Sequence, residues 1–228
     1  MNIKNKDFKE EYEDIFHKGS HLRIMADSLL EKKNPCILEC GVERGTSTKA
    51  FVWLAEKLNG HVYSIDIDNC SKVVFSRNWT FLQSDDREID FVLGNFKEVK
   101  EKGADLIYID SYHENFHVEK LLNLYFEYVK KDGSIFVDDI DSFPFREKKD
   151  IWNSIVYDLT DDVVKEFYYN NSEKTIYTKY FGENGLGNFY KTAKLFEKPN
   201  PKKKIWNYNI ILKLLYPYLR KIKKFIKL

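Results

Sequence analysis

The stretch Cys36-Ile37-Leu38-Glu39-Cys40-Gly41-Val42-Glu43-Arg44-Gly45-Thr46-Ser47-Thr48 opens on a short apolar run, turns on two glycines and ends on three hydroxyl side chains. Beyond it, Lys49 to Leu58 reads as a helix closed by Asn59-Gly60. His61-Val62-Tyr63-Ser64-Ile65 reads as a second strand ending in Asp66-Ile67-Asp68. A strand, a turn, a helix and a second strand within 33 residues are the signature of a parallel α/β sheet.

The alternation continues downstream. Thr80–Gln83 is expected as a third strand, with a helix starting over Asp86–Phe91. Ala104–Asp110 is an apolar strand ending in an acid, Asn115–Val129 a helix, and Lys131-Asp132-Gly133 a turn. Ser134–Val137 is a further buried strand ending in Asp138-Asp139. A helix over Lys148–Leu159 and strands over Val163–Tyr169 and Gly187–Lys191 complete the reading. Upstream, residues 5–17 and 20–32 have the periodicity of amphipathic helices, the second with Ser20 as N-cap, and Pro35 ends them. The expected fold is a doubly wound, mostly parallel α/β sheet over residues 35–197, preceded by N-terminal helices (1–34) and followed by a basic amphipathic tail (198–228). Lys198-Pro199-Asn200-Pro201 reads as a stiff linker into that tail.

The chain has 228 residues, 43% hydrophobic and 32% charged, which suits a full core and argues against disorder. Its apolar runs stop short of the roughly 18 residues of a membrane span. The charged N-terminus, MNIKNKDFKEEYEDIF, lacks a signal-peptide core. Three cysteines without CxxC spacing point to a reducing compartment, so a cytoplasmic location is expected. The net charge of +1 is unevenly spread: Lys198–Leu228 holds nine Lys, one Arg and no acid, and these ten charges leave −9 for residues 1–197.

Ligands of open parallel sheets bind outside the carboxyl ends of the strands. Those ends carry Glu39, Asp66, Asp85, Asp110, Asp138 and Asp139. Any one of these acids can serve as a helix N-cap, but the set suggests a nucleoside cofactor held through its hydroxyls, with a cation offsetting the remaining charge. The turn lacks the GxGxxG of dinucleotide sites. Asp66 lies 25 residues beyond Gly41, where an acid can take both ribose hydroxyls, with Asp68 as its rival.

ECGVERGTS (39–47) resembles the ExGxxxG turn of the class I S-adenosylmethionine (SAM) methyltransferases. The resemblance implies a Rossmann-like methyltransferase fold with a reversed strand at Gly187–Lys191 ending the sheet. It also implies SAM held by Glu39, Gly41, Gly45, Thr46, Ser47 and Asp66, with Asp85, or secondly Asp86, beside the adenine. Asp110 and Asp138-Asp139 end neighbouring strands, and converging carboxylates suit Mg²⁺ or another hard divalent cation. IDSYH (109–113) and KDGSIFVDDID (131–141) resemble segments of the metal-dependent, macrocin-type sugar O-methyltransferases, departing at Ser111 and at Lys131-Asp132-Gly133. That likeness implies a metal on Asp110, Asp138 and Asp139, with His113 or Asp110 as base and a sugar or glycan hydroxyl as acceptor. The alternative for His113 is a cap on the following helix. Asp141–Arg146 is a candidate acceptor lid. The rival functions are a small-molecule or hydroxylase-related enzyme using the same pocket, and a non-catalytic nucleotide-binding subunit of a glycan-assembly complex.

On a helical projection of the tail, Ile211, Leu214, Leu215, Tyr218, Leu219, Ile222, Phe225 and Ile226 share one face, with Pro217 expected to break the helix. Lys213, Arg220, Lys221, Lys223, Lys224 and Lys227 take the other face. The pattern suits an anionic membrane surface, which would make the protein peripheral on the inner face of the membrane. Packing on the domain or in a homo-oligomer is the competing expectation, and the acidic body argues against nucleic acid.

Overall fold

The computed structural model describes residues 6–140, 151–182, 184–203, 214–219 and 221–222. Seven strands form one sheet in the order β3-β2-β1-β4-β5-β7-β6. They are β1 (Cys36–Cys40), β2 (His61–Asp66), β3 (Trp79–Gln83), β4 (Ala104–Ile109), β5 (Val129–Val137), β6 (Thr175–Tyr180) and β7 (Leu186–Lys191). The pairs from β3 through β5 are parallel, and β7 is antiparallel to both β5 and β6. β1 and β4 are buried along their whole length, as central strands covered on both faces must be.

Side-chain alternation sorts the core into two layers. Leu38, Ile107, Ile109, Ile135 and Val137 face α4 (Ile89–Asn95), α5 (Lys97–Lys102), α6 (Asn115–Tyr125) and α7 (Ile151–Asn171). Ile37, Val62, Leu106, Tyr108 and Phe136 face α1 (Lys6–Ile15), α2 (His21–Asp27) and α3 (Thr46–Leu58). Tyr12, Phe16, Met25 and Leu29 are fully or nearly buried in this second layer, so the N-terminal helices share the sheet's core. Ser20 caps α2 as expected, its hydroxyl accepting the Arg23 N–H at 3.2 Å.

Several sequence expectations need correcting. Val163–Tyr169 lies inside α7, because Leu159, Thr160, Val163, Val164 and Phe167 bury one helical stripe despite their β-branched and aromatic chemistry. Lys131-Asp132-Gly133 is an irregularity within β5, where the register against β4 shifts and Asp132 takes φ 64°. The reversed strand is present as β7, but β6, absent from the sequence reading, lies outside it at the sheet edge. The linker is stitched to the body: Asn200 donates its N–H to Asn171 at 2.7 Å and its amide to the Asn170 carbonyl at 2.8 Å. Lys202 reaches Glu119 at 2.7 Å and Glu166 at 3.3 Å.

β7 ends in Lys191, a fully buried lysine. Its ammonium donates to the carbonyls of Phe126 (2.8 Å) and Val129 (3.0 Å), closing the 3₁₀ turn Phe126–Tyr128 that follows α6. Lys191→Met removes the donor that these buried carbonyls share. The expected loss is about 2–3 kcal/mol of unfolding free energy in urea titration, and an unchanged midpoint would contradict this role.

Candidate active site

The turn after β1 is held by the strand beside it. Gly41 has φ +100°, and a Cβ there would lie 2.1 Å from the Asp110 carbonyl oxygen, so only glycine lets the two chain segments pass. Asp66 at the end of β2 clasps this turn. Its Oδ2 accepts the N–H groups of Val42 (2.8 Å) and Glu43 (3.0 Å), and its Oδ1 accepts that of Asp68 (2.9 Å). Burial works against its charge, yet these three donors hold the carboxyl below its ordinary range.

Glu39 is placed differently from the expectation that it meets the cofactor. Its carboxylate is fully buried and accepts hydroxyls from Ser47 (2.6 Å), Thr48 (2.7 Å) and Ser64 (2.7 Å). Burial raises its pKa while the three hydroxyls oppose the rise. It ties the first turn of α3 to β1 and β2 and does not line the cavity described below. Gly45, at φ +73°, is the N-cap of α3 and also lies outside the cavity wall.

At the carboxyl ends of the strands lies a cavity of about 640 Å³, within the size range of small-molecule sites. Its wall runs from Gly41, Thr46 and Ser47 past Asp66 and Asp68 to Asp85 and Asp86, then to Asp110 and His113. Asp85 is bridged by the Arg87 guanidinium, with Nε 2.9 Å from Oδ1, and this hydrogen bond above all holds its pKa down to about 2. Asp86 is buried instead. It accepts the Ser111 hydroxyl at 2.6 Å, faces His117 Nε2 at 3.1 Å, and its carbonyl accepts the Tyr125 hydroxyl at 2.7 Å. His117 on α6 and His113 ahead of it therefore address different acids. The N-cap residue of α6 is Glu114, so His113 is not the helix cap.

At the inner end of the cavity, β4 and β5 bring three carboxylates together. The Asp138 N–H donates to the Ile109 carbonyl at 3.1 Å, which sets Asp138 beside Asp110. Burial, then the charges of Asp138 and Asp139, push Asp110 up to about 8. Burial also raises Asp139, a residue at φ 56°, against the opposing pull of His113. His113 Nε2 lies 3.7 Å from Asp110 and 3.4 Å from Asp139, and the Thr160 hydroxyl of α7 donates to the His113 carbonyl at 2.7 Å. Asp110 and His113 face the cavity, with Asp138 and Asp139 one step behind them.

Two residues absent from the sequence reading complete this cluster. Tyr108 donates its hydroxyl to Asp138 Oδ2 at 2.5 Å, and His21 Nδ1 lies 3.1 Å from Asp138 Oδ1. Burial works against the Asp138 charge, but these two partners bring its carboxyl below the ordinary value. Tyr108 sits two residues before Asp110 and so shares its strand face, a signal available in the sequence. His21 lies 117 residues from its partner and carries no local signal.

Asp110, Asp138 and Asp139 offer oxygen donors of the type a hard divalent cation takes. Among the described residues, no group of three carboxylate, imidazole or thiolate side chains is placed so that it could hold a metal ion. The candidate lid, Asp141–Arg146, lies outside the described residues.

A family model of a methyltransferase domain matches residues 38–140, from β1 to just past β5. No curated protein matches the chain. Among solved structures, an SAH-bound (S-adenosylhomocysteine-bound) methyltransferase of Podospora anserina is similar at 13% identity and TM-score 0.57, over 82% of this chain and 88% of that one. The MycE methyltransferase of mycinamycin biosynthesis, in complex with Mg and SAH, is similar at 19% identity and TM-score 0.52. That match covers 88% of this chain and 52% of MycE, so the chain spans about half of that enzyme's length. The TDP-rhamnose 3'-O-methyltransferase of calicheamicin biosynthesis is similar at 12% identity and TM-score 0.54, over 82% and 81% of the two chains. At these identities the likeness is one of fold.

Proposed function

We propose that the chain, whose residues 38–140 match a methyltransferase-domain model, is a SAM-dependent O-methyltransferase acting on a sugar hydroxyl with the help of a divalent cation. The observation that carries the reading is His113, set between Asp110 and Asp139 at the inner end of the cavity. Asp66 accepts the ribose hydroxyls, with the carboxylate already aimed by three backbone donors. Asp85, fixed by Arg87, stands on the adenine side, and Thr46 and Ser47 face the methionine end. SAM supplies an electrophilic methyl group on a sulfonium.

His113 takes the acceptor's proton, and the nearby carboxylates of Asp110 and Asp139 stabilise the imidazolium that results. The protein's main contribution is to hold the acceptor oxygen in line with the methyl group. Asp110, Asp138 and Asp139 would hold Mg²⁺ or a similar ion, which when bound supplies Lewis-acid polarisation of two neighbouring acceptor oxygens. Support for a sugar acceptor comes from the rhamnose enzyme and from MycE, solved with Mg, SAH and mycinamycin VI.

The test is transfer of labelled methyl from SAM to a panel of nucleotide-activated and lipid-linked sugars, with Mg²⁺ or with excess chelator. Label on a sugar oxygen, lost with the chelator, is expected. Full turnover in chelator would remove the metal from the account. SAH binding without turnover on any acceptor would favour a non-catalytic subunit. A second expectation concerns the turn. Gly41→Ala drives a methyl group into the Asp110 backbone and should weaken SAH binding at least about tenfold in titration calorimetry. Wild-type affinity would show that the close approach is dispensable.

A further inference from the structure

The tail carries chemistry that the methyl-transfer site does not use. Residues 214–219 are helical, and Pro217 lies within that segment, so the expected break is not there. The side chain that docks is Tyr216: it is buried, and its hydroxyl donates to Glu114 Oε1 at 2.9 Å, at the start of α6. The apolar side chains do the reverse. Leu214 and Tyr218 are 65% and 66% exposed, and Leu215 and Ile222 are 48% exposed. A terminal helix packed for the stability of its own domain would bury these four residues and expose Tyr216.

The charge around this apolar set is one-sided. Lys198–Leu228 contains ten basic residues and no acid, and of these Lys202 is taken up by Glu119 and Glu166 on the body. An anionic lipid surface satisfies both sets at once: headgroups take the lysines and the acyl boundary takes the leucines, Tyr218 and Ile222. No helix among the described residues is long and apolar enough to cross a membrane, so the geometry is that of a segment lying on the surface.

We propose that the C-terminal segment is an interfacial anchor that binds anionic membranes through Leu214, Leu215, Tyr218 and Ile222 and the basic residues that follow one another along its sequence, while Tyr216 holds it to the body. The proposal does not depend on the methyl acceptor.

The test is flotation of the full chain with vesicles of phosphatidylcholine alone or of phosphatidylcholine and phosphatidylglycerol in equal parts. The chain should float with the anionic vesicles and much less with the neutral ones. Binding should fade as salt shortens the Debye length from about 10 Å at 0.1 M toward about 3 Å at 1 M. The full chain carrying Leu214→Ser, Leu215→Ser, Tyr218→Ser and Ile222→Ser should keep its thermal midpoint, since the four side chains are exposed, and lose at least about tenfold of the floated fraction. Equal flotation by variant and wild type would overturn the proposal. So would a wild-type chain that ignores both vesicles but forms a dimer the variant cannot form, or that binds duplex RNA in preference to lipid.

Discussion

Asp66→Ala should weaken SAM binding by about a hundredfold, close to 3 kcal/mol, because one carboxylate serves two tasks. In the proposed site it accepts the ribose hydroxyls, and it gathers the N–H groups of Val42, Glu43 and Asp68 in the turn after β1 and at the end of β2. Alanine removes the ligand and releases the turn together. Titration calorimetry with SAH measures the loss directly. Asp68→Ala is the natural control: Asp68 is exposed at the cavity wall, so its removal should change affinity by no more than a few-fold. If the two variants exchange these outcomes, the ribose belongs on Asp68.

Asp110→Asn should lower methyl transfer by about a thousandfold or more while leaving SAH affinity within a few-fold of wild type. Asp110 faces the cavity beside His113 and is electrostatically linked to Asp138 and Asp139, whereas Asp66, the proposed ribose ligand, ends β2, two strands away in the sheet. The substitution keeps the shape of the side chain and removes its charge. Single-turnover transfer to an accepted sugar, read beside SAH calorimetry, separates chemistry from cofactor binding. A variant that turns over at the wild-type rate would take Asp110 out of the chemistry.

The sheet from β1 to β5 was legible because its strands are short apolar runs ending in acids, separated by helical stretches of the right length. Of the turn and the acid closing β2, Gly41 and Asp66 line the cavity, while Gly45 does not. Four features escaped because tertiary packing decides them. Val163–Tyr169 has strand composition, but its apolar residues close a helical stripe on α6 and the sheet. β6 lies at the sheet edge with Ile176 and Thr178 exposed, and the opposite face mixes Thr175, Tyr177 and Lys179, so its alternation carries little apolar signal. Glu39 reads as a ligand from its place in the turn, yet three hydroxyls from two other elements claim its carboxylate. His21 joins the acid cluster only because α2 packs on the β5 face that carries Phe136 and Asp138.

On the proposed reading, SAM occupies the cavity at the carboxyl ends of β1 to β4 with its reactive end toward Asp110 and His113. The decisive measurement is a crystal structure of the chain grown with saturating SAH. The ribose is expected on Asp66, the adenine beside Asp85 and Arg87, and the sulfur facing Asp110 and His113. A nucleoside bound elsewhere on the chain, or a cavity left without SAH at saturation, would contradict it.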